Sequence, residues 1–313
     1  MHIATRCGRK FSVCLGLLIS IALGQLPLSG QYLGLNLRGD VGLKAGSQPG
    51  PGVYLIAPLW YRNDYEGLRN ASGDEVARGL NLDLNFLTTP AIAVTTKAKL
   101  AGATYGFQIV PLVAKGRLEL AEPGRSAGGS YGFADLYIQP INLGWRTKRA
   151  DFLAAYGFYA PTGAGDRSLD MWAHEIVGGT TVYLDAAKMW HASTAGFYEI
   201  HQNKRDIALR VGDILTLEGG AGRSFLNGAG NAGVSYVAQW KVTDDSGSDF
   251  PARLQKSKGR AFGLGPDVSM PVFARGTLIG LVGVRYTFEF GARTNFEGRT
   301  LVLSFTLAKL NSN

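Results

Sequence analysis

Beyond residue 24 the chain has no cysteine: Cys7 and Cys14 are its only two. That leaves no disulfide framework and no thiolate metal site. Long apolar runs are missing as well. After the first 30 residues no stretch of 18 or more apolar residues occurs, which excludes helical membrane spans. Charged residues are sparse, at 18%, and there are four histidines. His174 and His201 lack partners at ligand spacing, so no metal and no cofactor is expected. The formal net charge of +8 is spread along the chain, without the clustered stripe or module that binds nucleic acid.

What is present is glycine, 43 of 313 residues, about twice the usual share. That suits tight turns and crowded β walls. The amino terminus is a targeting segment by composition. Arg6, Arg9 and Lys10 precede the apolar run Phe11–Leu23, and Ala22 and Gly24 supply the small residues of a cleavage site. Residues 1–24 therefore read as a secretory signal peptide, and Phe11-Ser12-Val13 makes no lipobox before Cys14. Removing three basic and no acidic residues leaves 29 against 24, a net charge of +5. Residues 25–51, with Gly46, Gly50 and Gly52 around Pro49 and Pro51, read as an irregular leader or as a plug in a barrel mouth.

From residue 52 to 310 the chain alternates. Leu278, Gly280, Val282, Val284, Tyr286, Phe288 and Phe290 share one parity, and Gly283, Arg285, Thr287 and Glu289 the other. In a strand these sets point to opposite faces. Similar ribbons recur at 52–62, 80–94, 105–120, 132–145, 150–160, 172–184, 190–202, 213–225, 231–243, 261–273 and 301–310. The count is about twelve, with ten and fourteen as neighbouring even numbers. Pro140 marks a bulge where one alternation shifts.

The connections sort by length. Those at 95–104, 146–149, 185–189, 226–230 and 274–276 are mostly short; those at 64–79, 121–131, 161–171, 203–212, 244–260 and 291–297 are mostly longer and more polar. Such sorting predicts an all-β transmembrane antiparallel barrel, with tight turns on one side and longer loops on the other. A closed barrel also satisfies every backbone group in lipid. The chain ends on Leu310 and three polar residues instead of a terminal aromatic.

Several stretches resemble one family. They are Asp135-Leu136-Tyr137-Ile138-Gln139-Pro140, Ala155-Tyr156-Gly157-Phe158-Tyr159-Ala160-Pro161-Thr162-Gly163, Met171-Trp172-Ala173-His174-Glu175, Gly212-Asp213-Ile214-Leu215-Thr216-Leu217-Glu218-Gly219-Gly220 and Ala238-Gln239-Trp240-Lys241-Val242-Thr243. Together they are similar to the family named for a meta pathway of phenol degradation. The resemblance implies a bacterial outer-membrane barrel linked to catabolism of aromatic or other apolar compounds and to their uptake. It carries over no catalytic or binding residue.

Alternation places Asp83, Lys115, Arg117, Glu119, Asp135, Glu199, Glu218, Lys241, Arg285 and Glu289 on the non-lipid side, since Arg or Lys facing lipid at the midplane costs roughly 2–4 kcal/mol. These charges either pair into a network that fills the lumen or line a path with the aromatic stations Phe133, Tyr137, Tyr159 and Phe197. His191 and Ser193 share a face, as in a barrel lipase, but by parity it is the lumen face. Gly124-Arg125-Ser126-Ala127-Gly128 lacks the strand-turn-helix setting of a nucleophile elbow. Asp244, Asp245 and Asp249 crowd one loop and could hold calcium or bridge lipopolysaccharide, although a solvated loop accounts for them. No catalytic residue is assigned.

The expected function is an outer-membrane channel, not an enzyme, for passive uptake of small apolar or aromatic solutes. Its expected partners are outer-membrane lipid, lipopolysaccharide and the barrel assembly machinery. A lipase-like barrel hydrolase and a plugged structural or adhesive barrel are the alternatives.

Overall fold

In the computed structural model the described residues are 34–75, 81–88, 91–119, 126–249 and 258–307. The expected signal peptide, 1–24, and residues 25–33 lie outside them, as do Gly124, Arg125 and the chain end 308–313. Sixteen strand segments follow: β1 Gly52–Arg69, β2 Asn81–Thr88, β3 Ala91–Leu100, β4 Ala103–Val110, β5 Leu112–Glu119, β6 Ser126–Gly128, β7 Gly132–Phe133, β8 Leu136–Arg146 and β9 Ala150–Ala160. Then come β10 Ala173–Tyr183, β11 Trp190–His201, β12 Ile214–Phe225, β13 Gly230–Lys241, β14 Arg260–Ala274, β15 Thr277–Arg293 and β16 Asn295–Leu307.

Several segments are pieces of one wall strand. The lower half of β1, Gly52–Ile56, pairs with β3 and its upper half, Trp60–Tyr65, with β2. In the same way β4 pairs with β8, while β5 pairs with β6 and β7. Joined so, β2/β3, β4/β5 and β6/β7/β8 each count once, and the wall has 12 antiparallel strands. β1 pairs with β16 from Leu55↔Leu307 to Arg69↔Asn295, which closes the sheet and leaves no edge. Pro140 does sit at a bulge: Ile138 pairs with Phe158 but Ile141 with Tyr156.

Period-2 burial runs along the walls. In β11, His191, Ser193, Ala195, Phe197, Glu199 and His201 are buried inside, and the residues between them face out. On β15, Val282, Val284, Phe288 and Phe290 are exposed outside, while Thr287 and Glu289 are buried. An apolar outer belt of this extent belongs in lipid. Aromatic residues rim it at both ends. Trp145, Trp190 and Phe273 lie beside the short turns. Toward the other end Phe158 packs on Trp172 at 6.0 Å, and Trp240 on Phe262 at 5.6 Å.

Four connections differ from expectation: β1 runs on to Arg69 through the start of the expected loop 64–79, β6 (Ser126–Gly128) lies inside the expected loop 121–131, and two others shrink to tight turns. β3 continues through polar Thr96, Lys97 and Lys99 to Leu100, so the turn is only Ala101-Gly102, both at positive φ. That is the hairpin turn whose twist matches the strands. Between β15 and β16, where a longer loop 291–297 was expected, the strands run on and Thr294 alone turns the chain. The polar composition there reflects strand ends standing clear of lipid.

A larger correction concerns β2 and β5. Leu82, Leu84 and Phe86 point inward, paired with Tyr65, Asn63 and Tyr61 of β1. On β5 the inner face is Leu112, Ala114 and Gly116. Asp83, Lys115 and Arg117 therefore lie on the outer face. Arg62 reaches Asp83 at 3.4 Å, and Lys115 lies over the Tyr131 ring at 5.4 Å. Phe133, paired with Val113, also faces out and is 68% exposed. The side chain of Glu119 lies outside the described residues. One outer face runs from Phe107 and Ile109 through Val113 to Lys115 and Arg117. It turns from apolar to charged where the strand rises past the membrane, so charge there does not mark the lumen.

Candidate functional site

The lumen is occupied by residues 34–50, an irregular stretch whose backbone groups need partners. Acidic wall residues accept its N–H groups. Glu199 Oε2 accepts from Leu35 and Asn36 at 2.7 and 3.2 Å, and Glu218 from Gly39 and Val41 at 2.7 and 2.9 Å. Asp267 Oδ2 accepts from Leu43 at 3.0 Å, and Ser193 Oγ from Ala45 at 3.2 Å. Lower down, Asp151 accepts the Ser47 hydroxyl and Asn142 the Gln48 amide.

Donors of the wall take the carbonyls. Arg285 Nη1 donates to the Gly39 and Asp40 carbonyls at 2.9 and 2.7 Å, Arg146 to Gln48 O at 2.6 Å, and Tyr61 to Arg38 O at 2.8 Å. Arg285 Nε also donates to Asp267. The segment also returns a charged side chain to the wall: Arg38 pairs with Glu289 at 3.2 Å, both nearly fully buried, and lies 5.0 Å over Tyr65. Apolar contact is added by Ala45, packed with Ala155, Val177, Ala195 and Phe197. Close approach dictates the glycines: a Cβ on Gly46 would fall within the Thr180 backbone, and one on Gly42 upon Asp267 and Arg285.

Two cavities flank the segment. Toward the long connections is an apolar one of about 100 Å³, walled by Tyr61, Tyr65, Leu84, Phe86, Leu112 and Tyr159, with Gly34–Arg38 as its floor. Its roof comes from Asp135, whose carboxylate accepts the Gly163 and Leu169 N–H groups. Close by, burial holds the Lys204 ammonium below its ordinary pKa, against the opposing pull of Asp170 and Asp135. Toward the short turns is a polar cavity of about 150 Å³ lined by Asn231, Asp267, Ser269, Arg285 and Ser304.

Of the residues singled out from sequence, Tyr137, Tyr159, Phe197, Asp135, Glu218, Lys241, Arg285 and Glu289 are inside. Tyr137 lies tilted against Tyr159, with ring centroids 4.5 Å apart, and donates to Glu175 at 2.7 Å. Lys241 pairs with Asp245 at 2.9 Å. His191 and Ser193 are buried inside, and Ser193 is used by the inner segment. The three loop aspartates go separate ways: Asp245 to Lys241 and the Gly212 N–H, Asp249 to the Ala208 N–H, Asp244 toward Lys258. Sequence reasoning missed Tyr61, Tyr65, Leu84, Phe86 and Leu112. For Leu84, Phe86 and Leu112 the alternation was visible, but an apolar face was equated with lipid, while Tyr65 fell within the expected connection 64–79.

A closed 12-stranded antiparallel barrel with an apolar belt, sorted connections and a polar interior is a transmembrane β-barrel. The family described as "Putative MetA-pathway of phenol degradation" matches residues 67–305, and the chain belongs to that family. A solved outer membrane channel of Pseudomonas putida F1 superposes with a TM-score of 0.72 at 12% identity, over 86% of this chain and 99% of that one. OprD of Pseudomonas aeruginosa aligns over 82% of this chain and 94% of its own, at 8% identity and a TM-score of 0.33. No curated protein matches the sequence.

Proposed function

We propose that this protein is an outer-membrane channel for passive uptake of small apolar or aromatic compounds that feed their catabolism. In this reading the signal peptide 1–24 directs export, the long connections face outward, and residues 34–50 close the path. The observation that carries it is the apolar cavity in the lumen, floored by a segment held by hydrogen bonds, a buried ion pair, the Arg38–Tyr65 contact and apolar packing of Leu35, Val41 and Ala45. Solute enters at the long-loop end, rests among Tyr61, Phe86 and Leu112, and passes to the polar cavity when the segment shifts. Membership in a family named for phenol degradation supports an aromatic cargo. The test is uptake of radiolabelled phenolics at limiting concentration by cells with and without the gene. Equal uptake across a broad panel would sink the proposal.

A plugged structural barrel is the second reading, and the dense bonding of residues 34–50 favours it. Single-channel recording separates the two, because a structural barrel stays closed with every solute.

A further inference from the structure

We propose that the outer wall carries a docking groove for lipopolysaccharide, with an acyl chain against Leu215, Leu217 and Trp240 and the glucosamine phosphates on Arg260 and Arg293. It rests on the uptake reading only for the outward placement of the long connections. The groove is open, about 600 Å³, and lies across β12, β13 and the start of β14, at the end where the long connections leave the barrel. Its walls are Leu215, Leu217, Trp240 and Val242, and Lys258 and Arg260 stand at its head. Strand register sets Leu215, Trp240, Arg260 and Arg293 in one row on the outer face, from β12 to β15. Arg293 joins this face because the ladder bulges beside Gly291, which takes a positive φ and shifts the alternation after Phe290.

Charge at this head is unbalanced. Elsewhere at the same end, outward cations are matched by carboxylates: Arg62 by Asp83, Arg299 by Glu66, Arg210 by Asp213. Arg260 and Arg293 have no carboxylate partner among the described residues, and Lys258 has only Asp244, 3.8 Å away with both groups half exposed. The Arg260 guanidinium lies 5.6 Å from the Phe262 ring centre, which anchors it at the head of the groove. The other charges nearby are engaged: Lys241, which also borders the groove, pairs with Asp245, and Asp213 accepts from Arg210 and Tyr198. Height agrees with charge. Counting from Val284 at mid-belt, a strand rising about 3.4 Å per residue at a tilt of about 45° carries Arg293 roughly 20 Å from the midplane. The hydrocarbon ends at about 15 Å, so these cations stand in the headgroup layer above an apolar groove. Guanidinium groups bind phosphate in bidentate fashion. A diglucosamine with two phosphates and several acyl chains matches both halves of the surface.

The test is native mass spectrometry of the purified mature barrel in detergent, with EDTA present to remove divalent bridging through Asp244. Lipid A with both phosphates, the same lipid dephosphorylated, and phosphatidylglycerol are titrated in turn. The bisphosphorylated lipid should bind one per barrel, at least about tenfold tighter than either of the others, the scale of one hydrogen bond to a charged group. Arg260→Gln with Arg293→Gln should remove that advantage. Arg62→Gln with Arg299→Gln, which takes the same charge from the paired part of the rim, should keep it. Leu215→Ala with Leu217→Ala should weaken both forms of lipid A alike, and heat-modifiable migration on gels checks that each variant is folded. Equal affinity for phosphatidylglycerol, equal loss in the two charge variants, or no loss in either the Arg260–Arg293 or the leucine variant would overturn the site. Because binding is read on purified protein, failed uptake by cells with intact lipid A binding would remove the transport reading and leave the groove standing.

Discussion

Arg285 Nε donates to Asp267 Oδ2 at 2.9 Å across β14 and β15, and both residues then hold the chain that crosses the lumen. Asp267 accepts the Leu43 N–H, and Arg285 reaches the Gly39 and Asp40 carbonyls. The pair is a hinge point between wall and inner segment. Arg285→Ala removes three donations at once and leaves Asp267 without its cation. For a buried pair such a break costs about 3–5 kcal/mol. The expected outcome in planar bilayers is frequent openings where the parent is mostly closed, with restoration toward the closed state in Arg285→Lys.

Glu218 spans two amides of the same segment, one on each carboxylate oxygen. Glu218→Gln keeps the shape but turns one acceptor into a donor that faces an N–H. A hydrogen bond to a charged group contributes about 1.5–3 kcal/mol. Hydrogen exchange should therefore accelerate at Gly39 and Val41 by about tenfold or more, while amides of the neighbouring β11–β13 ladder stay protected. Uniform acceleration of the ladder and the segment would show that the carboxylate supports the wall instead.

Gly46 offers an orthogonal way to displace the segment, because nothing on the wall is altered. Its Cβ position lies within the Thr180 backbone, which belongs to a paired strand and cannot recede. Gly46→Val should expel the lower half of the segment, join the two cavities and raise conductance to that of a chain deleted for residues 34–50. A conductance equal to the parent's would mean that the segment does not gate the path.

The architecture was legible because period-2 alternation and loop sorting are both consequences of crossing a bilayer. Arg285, Thr287 and Glu289 against Tyr286, Phe288 and Phe290 already separate lumen from lipid, and the structure places them so. Above the membrane that logic fails. Outside lipid, Lys115 and Arg117 can face water, and Leu82, Leu84 and Phe86 can turn inward to build a pocket. The sequence also holds no local sign that Arg38 meets Glu289, some 250 residues away, because such pairing follows from barrel closure. The carboxylates of the lumen were expected to pair with cations or line a path. Instead Glu199 and Glu218 serve amide groups of an irregular strand.

The same contrast yields a position-dependent prediction about charge on the outer face. Val284 lies midway along β15, between the turn at Arg275-Gly276 and the tip at Thr294, and its side chain is 46% exposed on the belt. A guanidinium there would sit near the bilayer midplane, where Arg costs about 2–4 kcal/mol. Val284→Arg should lower the unfolding free energy in lipid vesicles by that amount. Lys115→Leu, on the outer face of β5 beyond the belt, loses a surface cation–π contact with Tyr131, worth about 0.5–1 kcal/mol when exposed. It should shift stability by no more than that, and urea titration of both variants in thin-bilayer vesicles measures the difference directly. If Lys115→Leu instead stabilises the barrel by several kcal/mol, β5 lies within the hydrocarbon and the charged rim has been placed too high.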